Sequence, residues 1–202
     1  ELHAIIGPNG AGKTTLINLL AGELTSDGGR ILIDKTDVTE LPIQQRVELG
    51  LLRSYQITSV FEPFTVRENI CLAARRLQGV RWAVWKSLIH DKQVRLVTHH
   101  VMERCRLQHV ADVVAANLAY GQRRQLEIAM ALAASPRLLL LDEPMAGMSA
   151  AEGIDAIELL RSLKGQYTIV LIEHDMNAVF SLADRISVLV YGKIIATGSV
   201  DE

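Results

Sequence analysis

Residues 7–14 read Gly-Pro-Asn-Gly-Ala-Gly-Lys-Thr, set between an apolar run, "LHAIIG", and an amphipathic one, "TLINLLAGEL". No other stretch limits the fold as much. The glycines let the backbone wrap tightly with its N–H groups pointing inward. A helix opening immediately afterwards adds the partial positive charge of its N-terminus. Lys13 adds a full charge. A concavity of that kind suits a phosphate chain, and the pattern G-x-x-x-x-G-K-[ST] demands a strand before it and a helix after it. Both are present. The loop residues Asn9, Gly10, Ala11 and Gly12, with Lys13 and Thr15, are therefore expected to cradle phosphates, and the Thr14 hydroxyl to hold Mg²⁺.

The remaining pattern fits a sheet built on that strand. Short runs rich in Leu, Ile and Val, "LLRSYQ", "LLLLD", "YTIVLIE" and "RISVLV", alternate with helical periodicities such as "YGQRRQLEIAMALAA", "AAEGIDAIELLRSL" and "DMNAVFSLAD". Such alternation predicts an α/β fold with a mostly parallel sheet flanked by helices. The segment around Tyr191–Gly192–Lys193 reads as a hairpin. Between about residues 61 and 135 the spacing turns helical, through "TVRENICLAARRL", "WAVWKSLIH", "VRLVTHHVMERC" and "VADVVA", which predicts an inserted helical subdomain. The chain opens inside a strand without an initiator Met and reads as a piece of a longer protein.

Ligands of open parallel sheets bind at the carboxyl ends of the strands. Three further groups fall there. Asp142 ends "LLLLD" and is placed to support a metal ion; Glu143 follows it, where it can polarise a water. His174 follows "YTIVLIE". Gln56 ends "LLRSYQ", and its amide can ligate Mg²⁺ or hold water. The other five of the six histidines carry no motif; His99 and His100 are adjacent on a helix and point apart, so they share no metal. Composition excludes several classes. A net charge of -2 gives no bulk attraction to nucleic acid or anionic lipid. No apolar run approaches the length of a membrane span. The two cysteines, Cys71 and Cys105, lie far apart, without metal-ligand spacing.

One more stretch raises a question. "LAYGQ", residues 118–122, sets a small turn at the mouth of a helix, which leaves backbone N–H groups free for an anion. Taken in order, "GPNGAGKTT", Gln56, "LAYGQ", "LLLLDEP" and His174 resemble the Walker A, Q-loop, signature, Walker B and switch histidine of the ATP-binding cassette (ABC) ATPases. The resemblance covers residues 1–202 as a single cassette. It implies a P-loop NTPase fold whose N-terminal antiparallel strands and adenine-stacking aromatic are missing from this segment.

What the resemblance implies is specific. Two cassettes, identical or homologous, pair head to tail over two Mg²⁺-bound ATP molecules. Tyr120, Gly121 and Gln122 of one then face the ATP held by the other. Thr14, Gln56 and Asp142 hold Mg²⁺, Glu143 activates water, and His174 contacts the γ-phosphate. Transmembrane permease subunits are the other partners, at the cytoplasmic face of the inner membrane, and no nucleic acid is expected. The usual signature is LSGGQ; Ala119 replaces its serine and Tyr120 its first glycine, so Gly121 N–H and the helix N-terminus must carry the site. "AGMS" lacks the family's aspartate, leaving Ser149 of that turn. Tyr120 in this slot, "SYQITSVFEPFTVRENICLAA" and "MAGMSAAE" look like the cassettes of branched-chain amino acid importers. Two alternatives remain: an ABC ATPase with a task other than transport, and a nucleotide-dependent interaction module with little hydrolysis. The only tryptophans, Trp82 and Trp85, fit either helix core or a docking groove for a membrane subunit.

Overall fold

The computed structural model describes residues 1–54, 60–75 and 91–200. Gln56, Trp82 and Trp85 lie outside the described residues. The chain divides into two compact units: Glu1–Arg53 with Arg137–Pro144 and Leu160–Glu202, and Ser54–Pro136 with Met145–Leu159.

The first unit is built on a six-stranded sheet. Its strands are β1 (Leu2–Ile6), β4 (Leu51–Arg53), β5 (Leu138–Asp142), β6 (Thr168–Ile172), β7 (Arg185–Val190) and β8 (Lys193–Gly198), in the order β4-β5-β6-β1-β7-β8. All neighbours run parallel except β7 and β8, which form a hairpin. Tyr191 and Gly192 make its turn, with φ of 46° and 75°, the paired positive values that match strand twist. Outside that sheet, β2 (Leu32–Ile33) and β3 (Thr36–Asp37) make a small antiparallel pair, because Asp34 and Lys35 turn the chain at positive φ.

Helix α1 (Lys13–Ala21) packs Ile17 and Ala21 among Ile5, Leu51, Leu140, Ile172 and Leu189, so the core lies directly beneath the glycine-rich loop. Helix α2 (Ile43–Glu48) ends where Gly50 adopts a φ of 94°. Of the "LLRSYQ" stretch, Leu51–Arg53 is strand and Ser54 is the last described residue.

The second unit packs α3 (Val66–Ala74) against α4 (Lys92–Arg104) and α5 (Tyr120–Ala133). Thr65 opens α3 with a capping box: its hydroxyl accepts from Glu68 N–H at 3.2 Å, and Glu68 accepts from Thr65 N–H at 2.8 Å. "VADVVA", expected to be helical, is no α-helix; it runs between two short 3-10 turns, Gln108–Val110 and Ala115–Asn117. Thr65 bridges to Val114, and the N–H groups of Val66, Arg67 and Ala115 bond to Val113, Ala111 and Phe64 carbonyls. Val110 closes one 3-10 turn and Ala115 opens the next; Val114 between them is extended, a conformation that suits its β-branched side chain, and bridges to a residue distant in sequence. Helix α6 (Ala150–Leu163) carries the chain out of this unit, and α7 (Met176–Leu182) follows β6 in the first, capped by Asp175.

Candidate active site

β1 delivers the chain into the loop at Gly7. A Cβ there would collide with the Leu189 carbonyl, so only glycine lets the loop pass against β7. Gly12, at φ 104°, turns the chain into α1. Ala11 N–H donates to Pro8 O at 3.1 Å, and Gly192 N–H donates to Ala11 O at 2.8 Å, which ties the loop to the β7–β8 turn. Asn9, Gly10, Thr14 and Thr15 are exposed; Ala11 and Lys13 are buried. The Lys13 ammonium folds back onto its own loop, donating to Gly7 O at 2.8 Å and Pro8 O at 3.1 Å.

The sheet then brings the acids and the histidine alongside. Ile5, Ile172 and Asp142 stand in one row across β1, β6 and β5. Asp142 is only 1% exposed. Its Oδ2 is 3.4 Å from the Arg53 guanidinium, which also pairs with Glu23 at 2.9 Å and donates to Asn18 Oδ1 at 2.6 Å. Burial pushes the Asp142 carboxyl above the usual carboxylate range; Arg53 opposes that rise and Glu143 adds to it.

Glu143 takes a φ of 48°, unusual for a residue with a Cβ, while its N–H still donates to Ile172 O at 2.9 Å. That turn leaves its Oε1 2.9 Å from Nε2 of His174 at the end of β6. The His174 N–H in turn donates to Glu173 Oε2 at 3.1 Å. Sequence reading placed Glu143 and His174 on one edge of the sheet; the structure puts them in contact. Such a pair can orient a water and shuttle its proton.

Whether this edge fits a Mg²⁺ can be tested on its donors. Asp142 Oδ1 is buried without a hydrogen-bond partner, an oxygen left for something else to satisfy. Thr14 offers an exposed hydroxyl in the first turn of α1. Among the described residues no cage of His, Cys, Asp or Glu side chains forms a metal site by itself. One carboxylate and one hydroxyl suit Mg²⁺ shared with phosphates, which needs few protein ligands. The residues fit.

The "LAYGQ" stretch belongs to the second unit. Ala119 is the N-cap of α5 and has no oxygen to offer the first turn. Gln122 Oε1 accepts from Ala119 N–H at 3.2 Å, and Tyr120 is 44% exposed. Gly121 N–H donates to Glu152 Oε1 at 3.0 Å. Glu152 also accepts from Ser149 N–H at 2.9 Å and Ser149 Oγ at 2.7 Å.

The sequence pattern of the ABC transporter family matches residues 1–146. The chain belongs to the ABC transporter family. This ABC cassette is 36% identical over 212 aligned residues to the high-affinity branched-chain amino acid transport ATP-binding protein LivG of Escherichia coli, covering 100% of this chain and 82% of LivG. It is 34% identical to the lipopolysaccharide export system ATP-binding protein LptB of Haemophilus influenzae, covering 100% of this chain and 80% of LptB. The solved structure of MJ1267, an ATP-binding cassette of an ABC transporter, superposes with a TM-score of 0.85 at 29% identity, over 100% of this chain and 82% of that one. The cassette is thus an ATP-binding ATPase of P-loop fold, from a family of transporters. No helix among its described residues is long and apolar enough to cross a membrane.

Two residues of the cassette escaped sequence reading. Arg53 is a lone cation closing an apolar strand, a signal that could have marked it. Glu152 stands three residues after Ser149, the spacing of a capping box, a signal that could have marked its local role but not its reach to Gly121.

Proposed function

We propose that this cassette powers import of branched-chain or related amino acids, as a peripheral subunit at the cytoplasmic face of the inner membrane. Two cassettes close head to tail over two ATP molecules, beneath a pair of permease subunits. The loop Asn9–Gly12, Lys13 and Thr15 hold the phosphates. Thr14, Asp142 and Gln56 hold Mg²⁺, which when bound neutralises charge on the phosphate oxygens. Lys13 exchanges its Gly7 and Pro8 carbonyls for phosphate oxygens. Glu143 orients the attacking water and takes its proton. His174 fixes the Glu143 carboxylate from the adjacent strand and meets the γ-phosphate as charge develops. Tyr120, Gly121 and Gln122 read the ATP of the partner.

The observation that carries the hydrolytic part of this reading is the 2.9 Å contact of Glu143 with His174 at neighbouring strand ends, beside the loop. A merely nucleotide-sensing module has no use for a positioned acid and base. The test is turnover and oligomeric state of the protein and of Glu143→Gln. The expected result is retained ATP binding, turnover lower by about 10²–10⁴, and an ATP-dependent dimer. Normal turnover in the variant removes Glu143 from that role. The cargo is tested separately, by leucine uptake into vesicles holding the cassette and its co-purified permease subunits. The 34% identity to LptB makes lipid export the outcome to compare.

A further inference from the structure

We propose that Glu152 gates the signature helix: its carboxylate occupies the Gly121 N–H that a partner-held phosphate must take, so closure of the dimer requires Glu152 to let go. This rests on the head-to-tail reading above.

The starting point is the cap. A helix N-terminus ordinarily satisfies its second and third N–H groups with a Ser, Thr, Asp or Asn at the N-cap. Ala119 cannot do so. The acceptor comes instead from Glu152 on α6, at 3.0 Å from Gly121 N. Gly121 is shaped for that partner. A Cβ at position 121 would lie 2.5 Å from Glu152 Oε1 and 2.7 Å from its Cδ, so the carboxylate fills the space that a side chain would take. Any residue but glycine would expel it.

The second oxygen is equally committed, since Glu152 Oε2 receives both the N–H and the hydroxyl of Ser149. These donors together hold the carboxyl below its usual range, so it is an anion at neutral pH. The turn before Ser149 also meets the helix directly: a Cβ on Gly147 would fall 3.3 Å from the Tyr120 ring. The signature helix and the turn after Walker B are thereby joined through one negative charge. A phosphate and a carboxylate compete for a single N–H and repel each other while both are near. When the phosphate takes Gly121, Glu152 keeps only its Ser149 contacts, and the turn is released from the helix.

A purely structural cap predicts the opposite effect. Removing Glu152 would then loosen Gly121 and weaken the dimer. The experiment places Glu152→Gln, which keeps the shape and loses the charge, in the slow-hydrolysing Glu143→Gln chain. The ATP-dependent dimer constant is measured by analytical ultracentrifugation, with ADP as the control. The gate predicts dimerisation tighter by about tenfold, the same direction in Glu152→Ala, and unchanged monomeric behaviour with ADP. An equal or weaker dimer in Glu152→Gln overturns the gate alone. No ATP-dependent dimer in either chain overturns the head-to-tail reading and the gate with it.

Discussion

Replacing Arg46 with methionine would probe what holds α1 in place beneath the phosphate loop. The helix is short, so its ends weigh heavily on its stability. Arg46 is 1% exposed, yet no carboxylate pairs with it at close range among the described residues. Its guanidinium donates instead to backbone carbonyls: Leu19 O at 2.6 Å, Leu20 O at 2.8 Å, Thr39 O at 2.8 Å and Leu41 O at 2.9 Å. Two of those lie in the last turn of α1, where a cation also complements the helix dipole. Gly22 makes room for it; a Cβ there would lie 2.8 Å from Arg46 Nε.

Arg46→Met keeps most of the buried stem and removes every donor. Leu19 O retains the Gly22 N–H at 3.2 Å. The carbonyls of Leu20, Thr39 and Leu41 lose a charged donor, at about 1–3 kcal/mol each when left buried. Against that, the cost of burying a cation disappears, a cost visible in the lowered Arg46 pKa, which burial drives. The net loss is about 3 kcal/mol, a large part of the stability of an ordinary domain. Urea unfolding of the two proteins measures it. Arg46→Lys should recover less than half, because a single ammonium cannot span carbonyls on both sides. A loss under about 1 kcal/mol in Arg46→Met would refute the claim that these hydrogen bonds anchor the helix.

Gly7→Ala and Gly10→Ala make a matched pair: both sit at positive φ, but only at Gly7 does a Cβ meet the Leu189 carbonyl, while nothing lies within 4 Å at Gly10. Gly10→Ala should cost about 1 kcal/mol in unfolding, and Gly7→Ala several times that together with nucleotide affinity, read by calorimetry. Asp184 supplies a pH test. Burial opposes its ionisation, but Lys164 at 2.7 Å and Leu2 N–H at 2.8 Å outweigh it and lower its pKa below 3.8. A depressed acid contributes stability above its unfolded pKa and loses it as pH falls through the folded one. The stability gap between the protein and Asp184→Asn should therefore be open at about pH 6 and close below pH 3.8.

Much of the fold was legible because it is written locally. The loop follows its strand, and β5 and β6 follow from the apolar runs "LLLLD" and "YTIVLIE". Val110–Ala115 misled because its apolar spacing imitates a helix, while the deciding bonds run back to residues 64–67. The site divides the same way. Lys13, Asp142, Glu143 and His174 could be named from their places after strands. That Glu143 touches His174 could not, since it depends on the register of β5 with β6 and on a left-handed φ at a residue whose side chain disfavours it. Arg53 beside Asp142 needed β4 to be the neighbour of β5.

The charged groups of this cassette fall into two kinds, and their partners tell them apart. Arg46 is bound to four backbone carbonyls inside the fold, none of which the nucleotide or its water uses, so its role is permanent. Lys13, Glu143 and Glu152 each hold a partner that another group could replace: loop carbonyls, the His174 ring, a single glycine N–H. Every one of those contacts involves an atom assigned to the nucleotide or to the water that attacks it. A side chain with its contact already made has a fixed rotamer and loses little entropy when the partner changes. Chemistry on this scaffold is then an exchange of hydrogen-bond partners, and the rate depends on how readily the internal partners are given up.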